Sequence, residues 1–304
     1  MTPRLIGAIE AGGTKFVLAL AREDGEVLER ARIATNAPHQ TFAEMQEFFA
    51  GAQARHGPIA GFGIASFGPI DIDPQSPAHG TFTTTPKPGW SGARFQDALD
   101  RFAAPIIVDT DVNGAALGEW LAGAGRGART IAYTTVGTGI GTGILTDGTA
   151  LGGFSHYEAG HIRPSHDKAV DPFAGVCPFH GNCLEGLASG PAIEARFGCG
   201  LDRLEGEDLR QAVALVAGYL AHFAATLVLL HMPDRLIFGG GVMKAPGLIE
   251  EIRIRTEQAL GGYVRHPRLS PGLADYIVPP ALGDDAGLTG AVELGRRALK
   301  KRGD

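Results

Sequence analysis

The sequence predicts an α/β protein of two lobes, and three observations carry that reading. A hairpin pattern turned by glycines opens the chain, a second one appears near residue 130, and strand-like and helix-like stretches follow each. With 304 residues and 44% hydrophobic content, the chain has enough apolar side chain to fill two such cores.

The first lobe begins with "RLIGAIE", a Gly-rich turn, "FVLALA", the polar "REDGE" and "VLERARI", which read as three strands over residues 4–33. Apolar runs broken by Gly and Asp-Gly are hairpin signals. Helical spacing follows from Thr41 to Arg55, then a buried strand "IAGFGIAS", a strand "PIIVD" ending at Asp109, and a helical "VNGAALGEWLAG". The second layout starts with "TIAYTTVGTGIGTGILTDG". It continues through a cysteine-bearing loop, a long apolar helix, the strand "RLIFGGG" and helices to the end. The apolar stretch Ala212 to Leu230 has the length of a bilayer span. Tyr219 and His222 interrupt it and it stands alone, so it is read as a buried helix of a large domain.

Lys and Arg total 27 against 33 for Asp and Glu, and the formal charge of -6 is spread along the chain, which argues against a nucleic-acid-binding surface. Ahead of Glu10 stand one arginine and the short apolar run Leu5 to Ile9, too brief for a signal peptide, so a cytoplasmic protein with no membrane partner is expected. The 45 glycines gather in short loops, "EAGGTK", "GTGIGTG" and "FGGG", where a backbone must come close to something.

In "IEAGGTKF", Glu10, Gly12, Gly13, Thr14 and Lys15 occupy the turn between two strands. Its backbone N–H groups and the Thr14 hydroxyl suit phosphate oxygens, and a plain tight hairpin is the competing reading. Gly137, Thr138 and Gly139 repeat the device in the second lobe, and Gly239, Gly240 and Gly241 form a third Gly-rich turn after a strand. None of these is a P-loop or a dinucleotide fingerprint: no Gly-Lys-Ser/Thr follows, and Thr142 and Ile144 stand where a final glycine is required. Together they suggest a nucleotide held across a cleft.

The motifs "EAGGTKF", "FGP", "GTGIG", Glu-x-Gly-His, "CPFHGNCLEGLASGP" and "FGGGV" occur in that order, and with them the chain resembles the ROK family of sugar kinases over Ile6 to about Leu294. Within that family it resembles the bacterial zinc-containing fructokinase branch. The resemblance implies the two-lobed actin/hexokinase-like, ribonuclease H-like ATPase fold with an interlobe cleft that closes over its substrates. It implies a small lobe over residues 1–111, completed by a final helix within 285–304, and a large lobe over 112–284 that carries the cysteine loop. It also implies ATP and Mg²⁺, a sugar substrate and a homodimer.

Cys177 and Cys183 sit in the seven residues "CPFHGNC", and a stable disulfide is not expected of cytoplasmic cysteines. Cys177, His180 and Cys183 supply three zinc ligands, and His161 is the best fourth for a closed, structural tetrahedral site. Many ROK kinases use one histidine with three cysteines, and His180 stands here in a cysteine's place. Clamping this loop would fix Glu158, His161 and Glu185, whose counterparts in the family contact sugar hydroxyls. Cys199 is read as a packing residue.

"VDTDVNG" ends a buried strand just before a helix, where a carboxylate can take the proton of an attacking hydroxyl during phosphoryl transfer. Asp109 and Asp111 compete for that role on position alone, and the family pattern maps the base to Asp111. Thr110 stands where the family commonly has a sugar-binding asparagine. Glu10 replaces the superfamily's Mg²⁺-holding aspartate, as in the fructokinase-like branch, and remains a hard oxygen donor. Lys15 is read either as neutralising phosphate charge or as a solvated hairpin lysine. Gly190-Pro191 and Gly239 to Val242 are candidates for the adenine and ribose side. "FGPIDID" and "TTTPKPGW" are read as loops reaching over the sugar, with Trp90 as a core anchor.

The expected activity is therefore ATP-dependent phosphorylation of a hexose, fructose to fructose 6-phosphate, with mannose, glucose or an N-acylated amino sugar as alternatives. A non-catalytic sugar-binding protein is the reading from another class. A ROK repressor, with a winged helix ahead of the first loop, is not expected, because that loop begins within the first dozen residues.

Overall fold

The structure, a computed structural model, describes residues 3–85, 87–269 and 272–300. Its first elements are β1 (Leu5–Ala11), β2 (Lys15–Arg22), β3 (Val27–Ala34), α1 (Pro38–His56), β4 (Ile59–Ser66), α2 (Phe95–Leu99), β5 (Ile106–Thr110) and α3 (Asp111–Ala122). There follow β6 (Thr130–Val136), β7 (Ile140–Thr146), β8 (Thr149–Ala150), α4 (Leu184–Ala188), α5 (Gly190–Phe197), α6 (Gly206–His231), β9 (Arg235–Gly239), α7 (Leu248–Leu260), β10 (Ile277–Val278) and α8 (Ala286–Lys300).

The chain divides into two compact units. Unit 1 comprises Met1–Leu121, Ala150–His156 and Asp284–Asp304, and unit 2 comprises Ala122–Thr149 and Tyr157–Gly283. Each holds a five-stranded sheet, in the order β3-β2-β1-β4-β5 and β10-β9-β6-β7-β8 respectively. β1 runs antiparallel to β2 and parallel to β4, and β6 runs antiparallel to β7 and parallel to β9. Numbered within its own unit, each sheet has the same connectivity, so the second layout legible in the sequence is a repeat of topology.

Strand periodicity explains how unit 1 is covered. Alternate side chains point to opposite faces, and Phe16, Leu18 and Leu20 of β2 join Ile9, Met45, Phe49 and Phe62 in one core. Their neighbours Val17, Ala19 and Ala21 join Ala8, Ala65, Leu288, Ala291 and Val292 in another, against α8. The α8 face is built of small residues because helix and strand backbones nearly touch. A Cβ on Gly63 of β4 would lie 2.0 Å from the Ala291 carbonyl oxygen, and one on Gly290 would lie 1.8 Å from that of Gly114 in α3. The same closeness keeps α3 in unit 1 through Leu121, where the sequence suggested a boundary at 111. Residues 301–304 of the expected final helix lie outside the described residues.

α1 begins at Pro38, ahead of the Thr41 start read from spacing, because proline tolerates the first helical turn, where no intrahelical partner awaits its missing N–H. Trp90 is fully buried among Phe16, Phe42, Phe67 and Phe82, and its Nε1–H donates to the Asn36 carbonyl at 3.0 Å. Around it the segments expected to reach over a sugar fold back on each other, with the Thr83 N–H donating to the Pro69 carbonyl at 2.9 Å; Pro86 in the second of them lies outside the described residues. In unit 2, α6 is long and apolar enough to cross a membrane by length and composition, and most of its apolar window is buried inside the protein.

A side chain at Gly290 has no space to enter. Gly290→Val should cost about 3 kcal/mol of stability or more, the upper range for overpacking, read as a lowered urea midpoint, while a substitution at exposed Arg4 should leave the midpoint unchanged.

Candidate functional site

Unit 1 brings together the first glycine hairpin and the β5–α3 corner. Gly12 N–H donates to the Lys15 carbonyl at 2.9 Å, and the Thr35 hydroxyl donates to the Gly12 carbonyl at 2.7 Å, so the residue that follows β3 supports the turn. Gly12 is half-buried, and Gly13, Thr14 and Lys15 are exposed, leaving the turn open to a ligand. Glu10, the last residue but one of β1, has its Oε2 buried without a hydrogen-bond partner among the described residues. Burial pushes its carboxyl up to about 7; Lys15 and Arg30 work against the shift, and the carboxylates of Asp111 and Asp284 add to it. The side chain lies over α8, where a Cβ on Gly287 would come within 2.8 Å of it. A partnerless carboxylate oxygen near two further acids fits a hard divalent cation such as Mg²⁺.

At the β5–α3 corner the two competing aspartates are used differently. Asp109 Oδ1 accepts the Thr110 N–H at 2.8 Å and the Asn113 side-chain amide at 2.7 Å, which ties strand to helix. Burial pushes its carboxyl up, and those hydrogen bonds oppose the shift. Asp111 opens α3, half-buried, with Oδ1 accepting the Val112 N–H at 2.9 Å. Thr110 is buried, and its hydroxyl accepts the Asn113 N–H at 3.2 Å, which caps the first turn of α3.

Unit 2 gathers its expected residues around the second hairpin. The parallel pairing of β6 and β9 sets Thr135 opposite Gly239 and brings their C-terminal turns together. Gly240 adopts φ 95°, and a Cβ there would lie 2.3 Å from the Val136 carbonyl oxygen, so only glycine passes so close to the end of β6. Gly241 has open space around it. The turn Gly137–Thr138–Gly139 is closed by Gly137 N–H donating to the Gly139 carbonyl at 2.9 Å. From α5, whose first turn carries exposed Pro191, Gly190 N–H donates to the Gly137 carbonyl at 2.7 Å.

Glu185 of α4 reaches the same hairpin: its Oε2 accepts the Ile140 N–H at 2.9 Å and would meet a Cβ on Gly139 at 2.7 Å. The turn holding Glu158 and His161 packs there too, since a Cβ on Gly160 would strike the Ile140 carbonyl at 1.9 Å. Glu158 is exposed and His161 half-buried.

The zinc candidates also converge. The ligand atoms of His161, Cys177, His180 and Cys183 all lie within 4.8 Å of one another. His161 Nδ1 is 3.8 Å from Cys177 Sγ and 3.5 Å from Cys183 Sγ, and His180 Nδ1 is 3.7 Å from Cys177 Sγ. Tetrahedral zinc with ordinary Zn–S and Zn–N bonds sets such atoms about 3.4–3.8 Å apart, so the residues fit the ion. Burial, with Cys177 adjacent, pushes the Cys183 thiol up to about 11; a bound cation would reverse that. Cys199 is a half-buried free thiol.

The sequence profile of the ROK family matches residues 6–298. The chain belongs to the ROK family. It is 42% identical over 300 residues to a fructokinase of Zymomonas mobilis, covering 98% of each chain. The ROK hexokinase of Thermus thermophilus is similar in structure at TM-score 0.79 and 25% identity, covering 98% of this chain and 99% of that one. A ROK family glucokinase of Streptomyces griseus, solved with glucose and AMPPNP, is similar at TM-score 0.71 and 27% identity, covering 96% and 99%. The two-lobed actin/hexokinase-like fold is thereby shown.

Two residues beside Glu10 carry no motif of their own. Asp284 and Gly287 come to Glu10 from the far end of the chain, in the stretch "GDDAG" that opens α8.

Because the folded carboxyl of Glu10 titrates above its unfolded value of 4.5, the folded state holds the extra proton between that value and about 7, and loses stability as pH rises through this window. The melting temperature of metal-free protein should fall between pH 5 and 7.5, less steeply in Glu10→Gln, and Mg²⁺ should recover part of the loss at the upper end. Metal analysis should find one zinc per chain in the wild type and none in Cys183→Ala.

Proposed function

We propose that this protein transfers the γ-phosphoryl group of ATP to a hexose, converting D-fructose to fructose 6-phosphate. The observation that carries the substrate is the near full-length likeness to the Zymomonas mobilis fructokinase. The AMPPNP held by the Streptomyces griseus relative supports ATP as the donor.

In this reading Asp111 accepts the proton of the attacking sugar hydroxyl. It stands in the first turn of α3, half-buried, where a carboxylate can reach that proton. Asp109 fixes the corner that aims it, through Thr110 and Asn113. Glu158, His161 and Glu185 orient the sugar, and His161, with Nδ1 turned toward the two sulfurs, keeps Nε2 for a hydroxyl. Gly12, Gly13, Thr14 and Lys15, with Gly137, Thr138 and Gly139, receive phosphate oxygens, and Pro191 and Gly239 to Gly241 border the nucleoside. Glu10 would hold Mg²⁺, which when bound neutralises charge on the phosphates. His161, Cys177, His180 and Cys183 would hold zinc, which when bound keeps their loop in shape. A cytoplasmic homodimer, expected from the resemblance, belongs to the same proposal.

The test is ADP release with MgATP against fructose, mannose, glucose and N-acetylmannosamine, each with and without a zinc chelator. Preference for fructose that chelation removes is the expected result, and a preference for another sugar would reassign the substrate. Asp111→Ala should lower kcat by roughly 10²–10⁴-fold, the usual range for a general base, with sugar binding retained in calorimetry; undiminished turnover would reject Asp111 as the base.

A further inference from the structure

Behind the zinc loop lies a buried polar cluster that the proposed chemistry does not use. Asp171 sits at its centre, buried, and its Oδ2 accepts the Tyr219 hydroxyl of α6 at 2.5 Å and an Arg196 N–H of α5 at 2.9 Å. Its Oδ1 accepts the Phe173 N–H at 3.2 Å, which turns the chain on itself. The Arg196 guanidinium lies over the Phe173 ring, 4.4 Å from its centroid. The Asp171 backbone carbonyl is 2.9 Å from His166 Nε2, and the His166 side chain is only 2% exposed.

The partners of His166 fix its tautomer. With Nε2–H donating to the carbonyl, Nδ1 is left as an acceptor, and it receives the side-chain amide of Asn182 at 3.0 Å. Asn182 is the residue immediately before Cys183, and its Oδ1 accepts an Arg163 N–H at 3.0 Å. One amide therefore joins the metal loop to a chain of hydrogen bonds that ends on two helices of unit 2.

We propose that Asn182, His166, Asp171, Arg196 and Tyr219 form a latch that sets the position of Cys183, and with it Glu185 two residues later. Buried hydrogen-bonded networks of this kind hold one geometry, because each broken bond strands a polar group away from water. Arg196 Nε and one terminal nitrogen lack partners, so its guanidinium is held chiefly by Asp171 and the aromatic rings around it. Asp171 and Asn182 are positioning residues, since neither belongs to the proposed donor or substrate set. The latch deepens the proposed function: it rests on the zinc-ordered sugar contacts for its effect on catalysis.

The test uses Asn182→Ala, which cuts the link at its half-buried outer end, and Tyr219→Phe, which removes one hydroxyl and leaves the packing. Asn182→Ala should release zinc to a chromogenic chelator faster by roughly 10–100-fold, the usual cost of losing an outer support of a metal site. At saturating zinc its KM for fructose should rise several-fold while its KM for ATP stays at the wild-type value, with Tyr219→Phe intermediate. In metal-free protein, amide hydrogen exchange across residues 176–187 should quicken in Asn182→Ala while α6 stays protected. Wild-type zinc release and wild-type exchange in Asn182→Ala would overturn the latch. A wild-type protein without zinc would overturn the metal reading instead, and the exchange measurement would still decide the latch.

Discussion

The carboxylates of unit 1 stand where they do because α8 lies with its backbone directly on β4 and α3. That contact leaves no room for a Cβ at Gly63 or Gly290, and it brings Asp284 and Gly287 to the side of Glu10. Polar groups crowded in this way carry a desolvation cost, visible in the upward shift of both Glu10 and Asp109. The cost is tolerated because the close-packed glycine and alanine faces around them supply dispersion contact along the whole length of the helix. A larger residue in that seam would separate the layers and scatter the acids.

Unit 2 solves a different problem with the same sheet. From Tyr157 to α4 the chain runs through a long stretch with little regular structure and few buried hydrophobic residues. Such stretches are uncommon in compact domains unless something else orders them. Here that role falls to polar and metal-ligating groups: the Cys/His cluster on one side, the Asp171 network on the other, and Glu185 bonded to the Ile140 N–H of the hairpin. Because Glu185 touches both the cysteine-bearing segment and the Gly137–Gly139 turn, the elements read as sugar-facing and phosphate-facing share one carboxylate.

Local patterns made much of this legible. The hairpins around Gly12–Gly13 and Gly137–Gly139, the strand Ile59–Ser66 and the helix containing Ala212 to Leu230 declared themselves through period-two or continuous apolar runs. The Cys/His set was readable because zinc chemistry restricts both residue type and spacing. What escaped depends on distance along the chain. The two-residue strands β8 and β10 are too short to show a period, the cap role of Thr110 rests on one side-chain hydrogen bond from the Asn113 N–H, and the joining of His166, Asp171, Arg196 and Tyr219 follows from packing of α5 and α6.

All four donors of the Cys/His cluster come from one continuous segment, His161 to Cys183, and both sheets are built from strands outside it. An ion held there closes loops within that segment and pins no strand to another. Its loss would then be a local event, a foldon opening while the cooperative core of each unit persists. The order of the Cys/His loop and the survival of the fold would become separable quantities, the first governed by metal activity through mass action and the second by apolar packing.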